Sequence, residues 1–140
     1  MNAAALGLRL VPFYFLPAVA AVLLLVCLSA GEAANWVLVG ISEDGNASLY
    51  VDKESINSSL QNVTSAWTKF LFGNPESFES KMISQMLVHI EFDCSEKRRR
   101  RIELTFDYDN GSRETFSPDR QWYPVKPDTL ENEAYRYLCK

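Results

Sequence analysis

The side chains of this 140-residue chain that are best suited to chemistry form a basic run from Lys97 to Arg101. Clustered guanidinium groups recognise carboxylate, sulfate and phosphate groups, often through two parallel hydrogen bonds. The chain has a formal net charge of −4, so its positive charge is concentrated locally in this run. The run therefore predicts a site for an anionic partner, with the candidate binding residues Arg98, Arg99, Arg100 and Arg101.

The competing interpretation of the run is structural. It is then a solvated turn in which Arg101 neutralises Asp93 and the nearby glutamates. As a binding site, the run would suit a sulfated or otherwise anionic glycan, an acidic protein segment, or lipopolysaccharide. Nucleic acid is not an expected partner, because the chain has no second basic stripe.

Catalytic residue sets are absent from the sequence. His89 is the only histidine, and we interpret it as a solvent-facing strand residue beside Thr105, with no second ligand or nucleophile. Glu91 and Glu103 could in principle perform acid–base chemistry, but solvated sheet faces often carry such pairs. No phosphate-binding loop, nucleophile elbow or dinucleotide fingerprint occurs. We therefore expect a protein that is not an enzyme and has no cofactor.

Two of the three cysteines lie outside the apolar N-terminal segment, and they are Cys94 and Cys139. In an oxidising compartment these two would pair. The long loop that this bridge closes predicts a stabilisation of about 4 kcal/mol in the chain-entropy model. A free buried thiol and a metal site remain as alternatives, but structural zinc needs four ligands and two cysteines with one histidine are a poor set. No metal is expected.

The N-terminal segment predicts export. Residues 1–9 contain one positive charge, residues 10–28 are uncharged and almost wholly apolar, and small residues follow to Ala34. This order is typical of a secretory signal peptide. We predict a signal peptide over residues 1–33 and a single domain over residues 34–140, with a retained membrane anchor as the alternative.

The elements that position the basic run are two long strands between Met82 and Tyr108. Apolar residues alternate with polar ones in both strands, which is typical of an antiparallel sheet with one buried face. The alternation places Met82 on the core face and Arg101 on the polar face. The predicted pairs across this hairpin are Cys94 with Arg100, Asp93 with Arg101, and Glu91 with Glu103.

The remaining elements complete a small α+β fold. Strands are predicted over residues 36–41, 48–52 and 63–72, the last ending at Gly73–Pro75. Asn110–Gly111 predicts a second hairpin that pairs Tyr108 with Ser112 and Leu104 with Phe116. Asp128 is the predicted N-cap of a helix from Thr129 to about Leu138. We expect an antiparallel sheet of five to six strands with one C-terminal helix packed on it.

The order of these motifs resembles a known family. The motifs are a tryptophan-led first strand, Leu49–Asp52 followed by Ile56, Val63–Lys69, Ile90–Cys94, Asp109–Gly111, Trp122, Val125–Pro127 and a terminal helix ending in Cys139. In this order they resemble the surface-adhesin protein E-like domain of bacterial envelope proteins, over essentially all of residues 34–140.

The resemblance implies a sheet tied to its C-terminal helix by a Cys94–Cys139 bridge. It also implies a location in the periplasm or on the outer cell surface, and a homodimer. The founding adhesin binds host matrix and plasma proteins, whereas many members have no assigned function. We expect a non-catalytic, adhesin-like binding module whose partner is an extracellular-matrix or envelope protein or an anionic glycan. The alternative is a structural component of the envelope that self-associates through a sheet edge.

Overall fold

We describe residues 33–140 from a computed structural model of the chain. Within this range an antiparallel sheet has the strand order β1-β2-β4-β5-β6-β7, while β3 pairs with β4 and β8 pairs with β6. The elements are β1 (Trp36–Ile41), β2 (Ala47–Asp52), β3 (Asn57–Leu60), β4 (Val63–Phe78), β5 (Lys81–Asp93), β6 (Arg98–Tyr108), β7 (Arg113–Phe116), β8 (Tyr123–Pro124) and α1 (Leu130–Leu138). The predicted fold class, an antiparallel sheet with one C-terminal helix, is confirmed.

The predicted signal peptide and its alternative, a membrane anchor, lie outside the described residues except for Ala33. Between residues 33 and 140, no helix combines the length and the apolar character needed to cross a membrane.

One face of the sheet, here called the helix face, is covered by α1. Alternate residues of the central strands point to this face, and Leu49, Val88 and Phe92 are at most 1 % exposed there. Leu130, Tyr135 and Leu138 of the helix pack against this core, and Ala134 of the helix is buried within it. The opposite face, here called the open face, carries Tyr50, Trp67 and His89, all partly exposed. In each central strand, the alternate residues that face the helix are therefore the buried ones.

The helix lies very close to β1 at Gly40. A Cβ atom at this position would lie 3.1 Å from Leu130 Cδ2 and 3.2 Å from Glu133 Cβ. A side chain there would press on these two helix residues, so glycine suits the close approach.

A disulfide between Cys94 and Cys139 fixes the end of the helix to the end of β5, with the two Cα atoms 5.4 Å apart. Cys139 is the C-cap of α1 and has a non-helical backbone, with φ −103° and ψ 56°. The hydroxyl of Tyr135 donates a hydrogen bond to the Cys94 carbonyl oxygen at 2.9 Å. The predicted cysteine pairing is confirmed, and a side-chain hydrogen bond supports it.

The turn between β5 and β6 is tighter than predicted. The Asp93 side chain accepts hydrogen bonds from the Ser95 hydroxyl and the Glu96 backbone N–H, and Lys97 adopts a positive φ of 51°. Aspartate and serine favour such local hydrogen bonds in turns. As a result, Asp93 pairs with Arg98.

The predicted register of this hairpin was wrong. The predicted pairs Cys94–Arg100, Asp93–Arg101 and Glu91–Glu103 do not form. In the structure Glu91 pairs with Arg100. His89, which was predicted to lie beside Thr105, pairs with Glu103 instead.

A β-bulge at Ile102 also changes which side chains face the helix. Val88 pairs with Leu104, whereas Ile90 pairs with Arg101, so Ile102 is one extra residue in β6. Continuous alternation from Leu104 would place Ile102 on the helix face. The bulge places Arg101 there instead, and the prediction that Arg101 lies on the polar face was wrong.

The other end of the central strands also departs from regular alternation. The strand predicted to end at Gly73–Pro75 continues to Phe78, because an irregularity between Leu71 and Glu76 accommodates the intervening residues. A second irregularity lies next to Ile83, which is buried, while Met82 is 39 % exposed. The prediction that Met82 faces the core was therefore wrong.

A second buried cluster, here called the aromatic end, lies where β5, β6 and β7 meet away from the helix. Its centre is Ile83, Phe106 and Tyr108. The ring centroid of Phe78 lies 5.0 Å from that of Phe106, and the ring centroid of Phe116 lies 5.2 Å from it. The aromatic end and the cluster under α1, here called the helix end, share the partly buried Met86 and Leu104.

The second hairpin follows its prediction, whereas the helix cap does not. Leu104 pairs with Phe116, and the Tyr108 N–H donates to the Ser112 carbonyl oxygen at 2.9 Å, as predicted. The N-cap of α1 is Thr129, whose hydroxyl oxygen accepts the Asn132 N–H at 3.2 Å. The predicted Asp128 cap was wrong, since Asp128 has a φ of 58° and belongs to the preceding turn.

Candidate binding site

The four predicted binding residues lie on β6 and alternate between the two faces of the sheet. Arg98 and Arg100 lie on the open face, opposite Asp93 and Glu91. Arg99 and Arg101 lie on the helix face and both reach α1. The structure thus divides the basic run into two pairs with different surroundings.

On the open face each arginine has its own carboxylate. Arg98 Nη2 lies 2.8 Å from Asp93 Oδ2, and Arg100 pairs with Glu91. The Trp122 ring packs on both guanidinium groups, with its centroid 4.5 Å from the guanidinium carbon of Arg100. The hydrogen bond from Arg98, with those from Ser95 and the Glu96 N–H, lowers the pKa of Asp93 to about 2. Each arginine of this pair is neutralised by its own carboxylate, as the structural interpretation of the run requires, while the Arg98 and Arg100 side chains stay 43 % and 31 % exposed.

On the helix face two arginines share one carboxylate. Arg99 Nε donates to Glu131 Oε2 at 2.7 Å, and Arg101 Nη2 donates to the other oxygen, Oε1. Among the described residues, the buried Nε atoms of Arg101 on this face and of Arg98 on the open face have no hydrogen-bond partner. A guanidinium group has five N–H donors, so a single carboxylate leaves most of these donors available. The helix-face pair is therefore less neutralised by its direct partners than the open-face pair.

An open cavity of about 440 Å³, here called the polar cavity, lies beside the helix-face arginines. Its lining consists of Arg99, Arg101, Pro118, Asp119 and Tyr123. The Tyr123 ring lies over the Arg99 guanidinium at 5.4 Å, and the Tyr123 hydroxyl donates to Asp119 Oδ2 at 2.6 Å. This hydrogen bond, followed by that from the Gln121 N–H, lowers the pKa of Asp119, so its carboxylate stays charged at the rim.

A second open cavity of about 400 Å³, here called the apolar cavity, lies between the helix end and the aromatic end. Arg101 lines both cavities. Most of the other lining side chains are apolar. The full lining is Ala47, Phe70, Phe72, Met86, Arg101, Thr129, Leu130 and Glu131.

Sequence reasoning missed three residues that define the site: Glu131, Asp119 and Tyr123. Glu131 lies in the predicted C-terminal helix, and no local sequence pattern connects it with β6. Tyr123 belongs to a proline-rich stretch that pairs with β6 at Arg99, and prolines at an edge are a usable signal for such a short strand. Asp119 had no recognisable sequence signal.

His89 lies away from this site, on the open face. Its ring stacks on that of Trp67, with centroids 5.1 Å apart and an interplanar angle of 20°. Within residues 33–140, no group of three or more His, Cys, Asp or Glu side chains is arranged to hold a metal ion.

Comparison with known proteins was made at the level of sequence families and of structures. A family model described as surface-adhesin protein E matches residues 36–140. Among curated proteins, no sequence matches the chain significantly. Among solved structures, a selenomethionine form of Haemophilus influenzae protein E has a TM-score of 0.50, with 14 % identity, and the match covers 76 % of this chain and 87 % of that one.

Another structure of Haemophilus influenzae protein E has a TM-score of 0.49 and 17 % identity, and the match covers 76 % of this chain and 85 % of that one. At these identities the structural likeness concerns the fold alone.

Proposed function

Because the chain belongs to the surface-adhesin protein E family, we propose that it is an exported, non-catalytic binding module of a bacterial cell surface. Its partner is a protein or a glycan, and the contact is an anionic group held by Arg99 and Arg101. The signal peptide over residues 1–33 is removed on export. N-terminal sequencing of the exported protein should then begin at Ala34, and retention of the segment would contradict this part of the proposal.

The observation that supports this site is the sharing of Glu131 by two guanidinium groups beside an open cavity. An incoming carboxylate or sulfate would accept hydrogen bonds from donors that Glu131 does not use. Charge-assisted hydrogen bonds of this kind are among the strongest in proteins. The surface-adhesin family to which the chain belongs favours binding over catalysis.

The two arginine pairs provide a matched test. Arg99→Gln with Arg101→Gln, and Arg98→Gln with Arg100→Gln, remove the same charge from opposite faces of one strand. We expect the first double variant to weaken binding to immobilised heparin or to an immobilised acidic peptide about tenfold or more. The second should weaken it much less. Equal losses in the two variants would show a non-specific charge effect and would contradict the proposal.

Glu131→Gln tests the same site through an expected increase in affinity, where the arginine variants should cause a decrease. This variant removes the carboxylate that competes for Arg99 and Arg101, so the affinity for the anionic probe should increase. Thermal unfolding of each variant controls for loss of the fold. Unchanged or weaker binding by a folded Glu131→Gln protein would contradict a site at these two arginines.

A second candidate function is assembly through the edge strand β1. Leu38 and Ile41 on this strand are 48 % and 58 % exposed, and an unpaired edge can bind another strand. A homodimer of this kind should dissociate in a Leu38→Lys variant, because a charged side chain blocks edge pairing. Sedimentation at several protein concentrations separates the two functions, since the arginine variants should not change the oligomeric state.

A further inference from the structure

The polar and apolar cavities lie next to each other on the helix face, and Arg101 lines both of them. The Arg101 guanidinium is held at this boundary by Glu131, whose carboxylate also anchors Arg99. The side chain of Arg101 is 35 % exposed, so a ligand can reach it. A ligand that fills both cavities must therefore present a negative charge directly beside an apolar group.

The apolar cavity is an opening in the hydrophobic core. Leu130 belongs to the helix end, Phe72 to the aromatic end, and Met86 packs against both clusters. Its volume of about 400 Å³ leaves room for a large aliphatic or aromatic side chain. Burial of such a side chain is favourable by the hydrophobic effect, whereas a sulfated sugar offers little apolar surface to this cavity.

We propose that the partner is a protein segment in which an acidic side chain lies near a large apolar side chain. The acidic group binds Arg101 and Arg99 in the polar cavity, and the apolar group enters the cavity lined by Phe70, Phe72 and Leu130. In an extended segment, residues two apart lie on the same side, so an acidic residue and an apolar residue at this spacing fit the two cavities. The inference rests on the proposed function and narrows its partner to protein.

The probes are three capped heptapeptides that differ at one position each. The first is Ser-Gly-Glu-Gly-Phe-Gly-Ser, the second has Gln in place of Glu, and the third has Gly in place of Phe. Binding is measured by titration of the ¹⁵N-labelled protein and by competition with heparin. We expect the first peptide to bind about tenfold more tightly than either of the others.

Filling the apolar cavity separates this inference from the proposed function. Ala47 lines the apolar cavity, and Ala47→Phe should reduce binding of the first peptide to the level of the peptide without Phe. Heparin binding should stay unchanged. Ser48→Phe, on the open face of the same strand, is the matched control and should leave both probes unaffected. If Ala47→Phe does not fold, Ala47→Leu is the smaller filling variant.

The outcomes distinguish two failures. If the Arg99→Gln/Arg101→Gln variant binds every probe as the wild type does, the proposed function fails together with the inference. If that variant loses binding but Ala47→Phe binds the first peptide as the wild type does, the inference alone is overturned. Equal affinity for the peptides with and without Phe, or binding of heparin alone, overturns the inference as well.

Discussion

The helix end and the aromatic end of the sheet are stabilised in different ways. At the helix end, α1 covers the sheet, the Cys94–Cys139 disulfide links residues 45 apart in sequence, and Glu131 holds two arginines. At the aromatic end, Phe78, Phe106 and Phe116 pack edge to face or tilted against one another, without a helix or a covalent link. One end thus depends on contacts between distant parts of the chain, and the other on neighbouring hairpins.

This difference has a consequence for the candidate site. The apolar cavity lies where these two kinds of packing meet, so neither cluster fills the space between Leu130 and Phe72. Protein interiors are normally close-packed. An open space beside Arg101 at this boundary is therefore more informative about binding than the arginine run is by itself.

The largest expected effect is that of removing the disulfide. Cys94→Ser with Cys139→Ser should lower the free energy of unfolding by about 4 kcal/mol. Because the bridge anchors only the helix end, amide exchange should increase in α1 more than at the aromatic end. Urea denaturation gives the total loss, and hydrogen exchange locates it. An equal increase in amide exchange at the helix end and at the aromatic end would show that the two ends are not independently stable.

The next effect concerns the centre of the aromatic end. Phe106 is 6 % exposed and contacts three other aromatic rings, so Phe106→Ala should cost about 3 kcal/mol. Phe78→Ala, at a ring that is 37 % exposed, should cost clearly less. Amide hydrogen exchange in α1 should change little in either variant. A large increase in α1 would contradict the division of the sheet into two separately stabilised ends.

A smaller effect concerns the start of the helix. Thr129→Ala removes the oxygen that caps Asn132 and should cost about 1 kcal/mol. Asp128→Gly is the control, because glycine accepts the positive φ of 58° without strain. The urea midpoints of the two variants show how much stability comes from Thr129, the cap in the structure, and how much from Asp128, the cap predicted from sequence. A loss in Asp128→Gly as large as that in Thr129→Ala would favour the cap predicted from sequence.

The smallest effect is the pH dependence of the turn. The pKa of Asp93 falls to about 2, mainly through its hydrogen bond from Arg98, below the usual value of about 3.9. The stabilisation is therefore complete above about pH 4 and is lost as the pH falls through about 2. Asp93→Asn should reduce the acid dependence of the urea midpoint. At the aromatic end, Lys81 and Tyr108 lower the pKa of Glu114, so some acid dependence should remain in this variant.

Local sequence signals were sufficient for some parts of the fold. Asn110–Gly111 predicted the second hairpin with its register, because few residues tolerate the positive φ that such a turn needs. Cys94 and Cys139 could be paired because they are the two cysteines outside the predicted signal peptide. The alternation over residues 86–92 predicted the buried face correctly, since Val88, Ile90 and Phe92 are all buried.

The arrangement of the candidate site could not be predicted, because it depends on an irregularity and on distant contacts. The bulge at Ile102 has no local signal, yet it determines which arginines face the helix. Glu131 lies 32 residues from Arg99 in sequence, and only the docking of α1 brings the two together. The basic run was therefore recognisable as a charged feature, but its division into a pair with one carboxylate each and a cavity-lining pair that shares one carboxylate was not.

Ile102, the extra residue in β6, also changes the geometry of the strand. Removal of Ile102 would keep every arginine on its present face, because Arg101 and Glu103 would then follow the regular ladder opposite Ile90 and His89. It would, however, straighten the strand, since a bulge bends and twists the backbone locally. A single-residue deletion would thus keep the charge pattern intact while it changes the orientation of the strand that carries the guanidinium groups relative to Glu131.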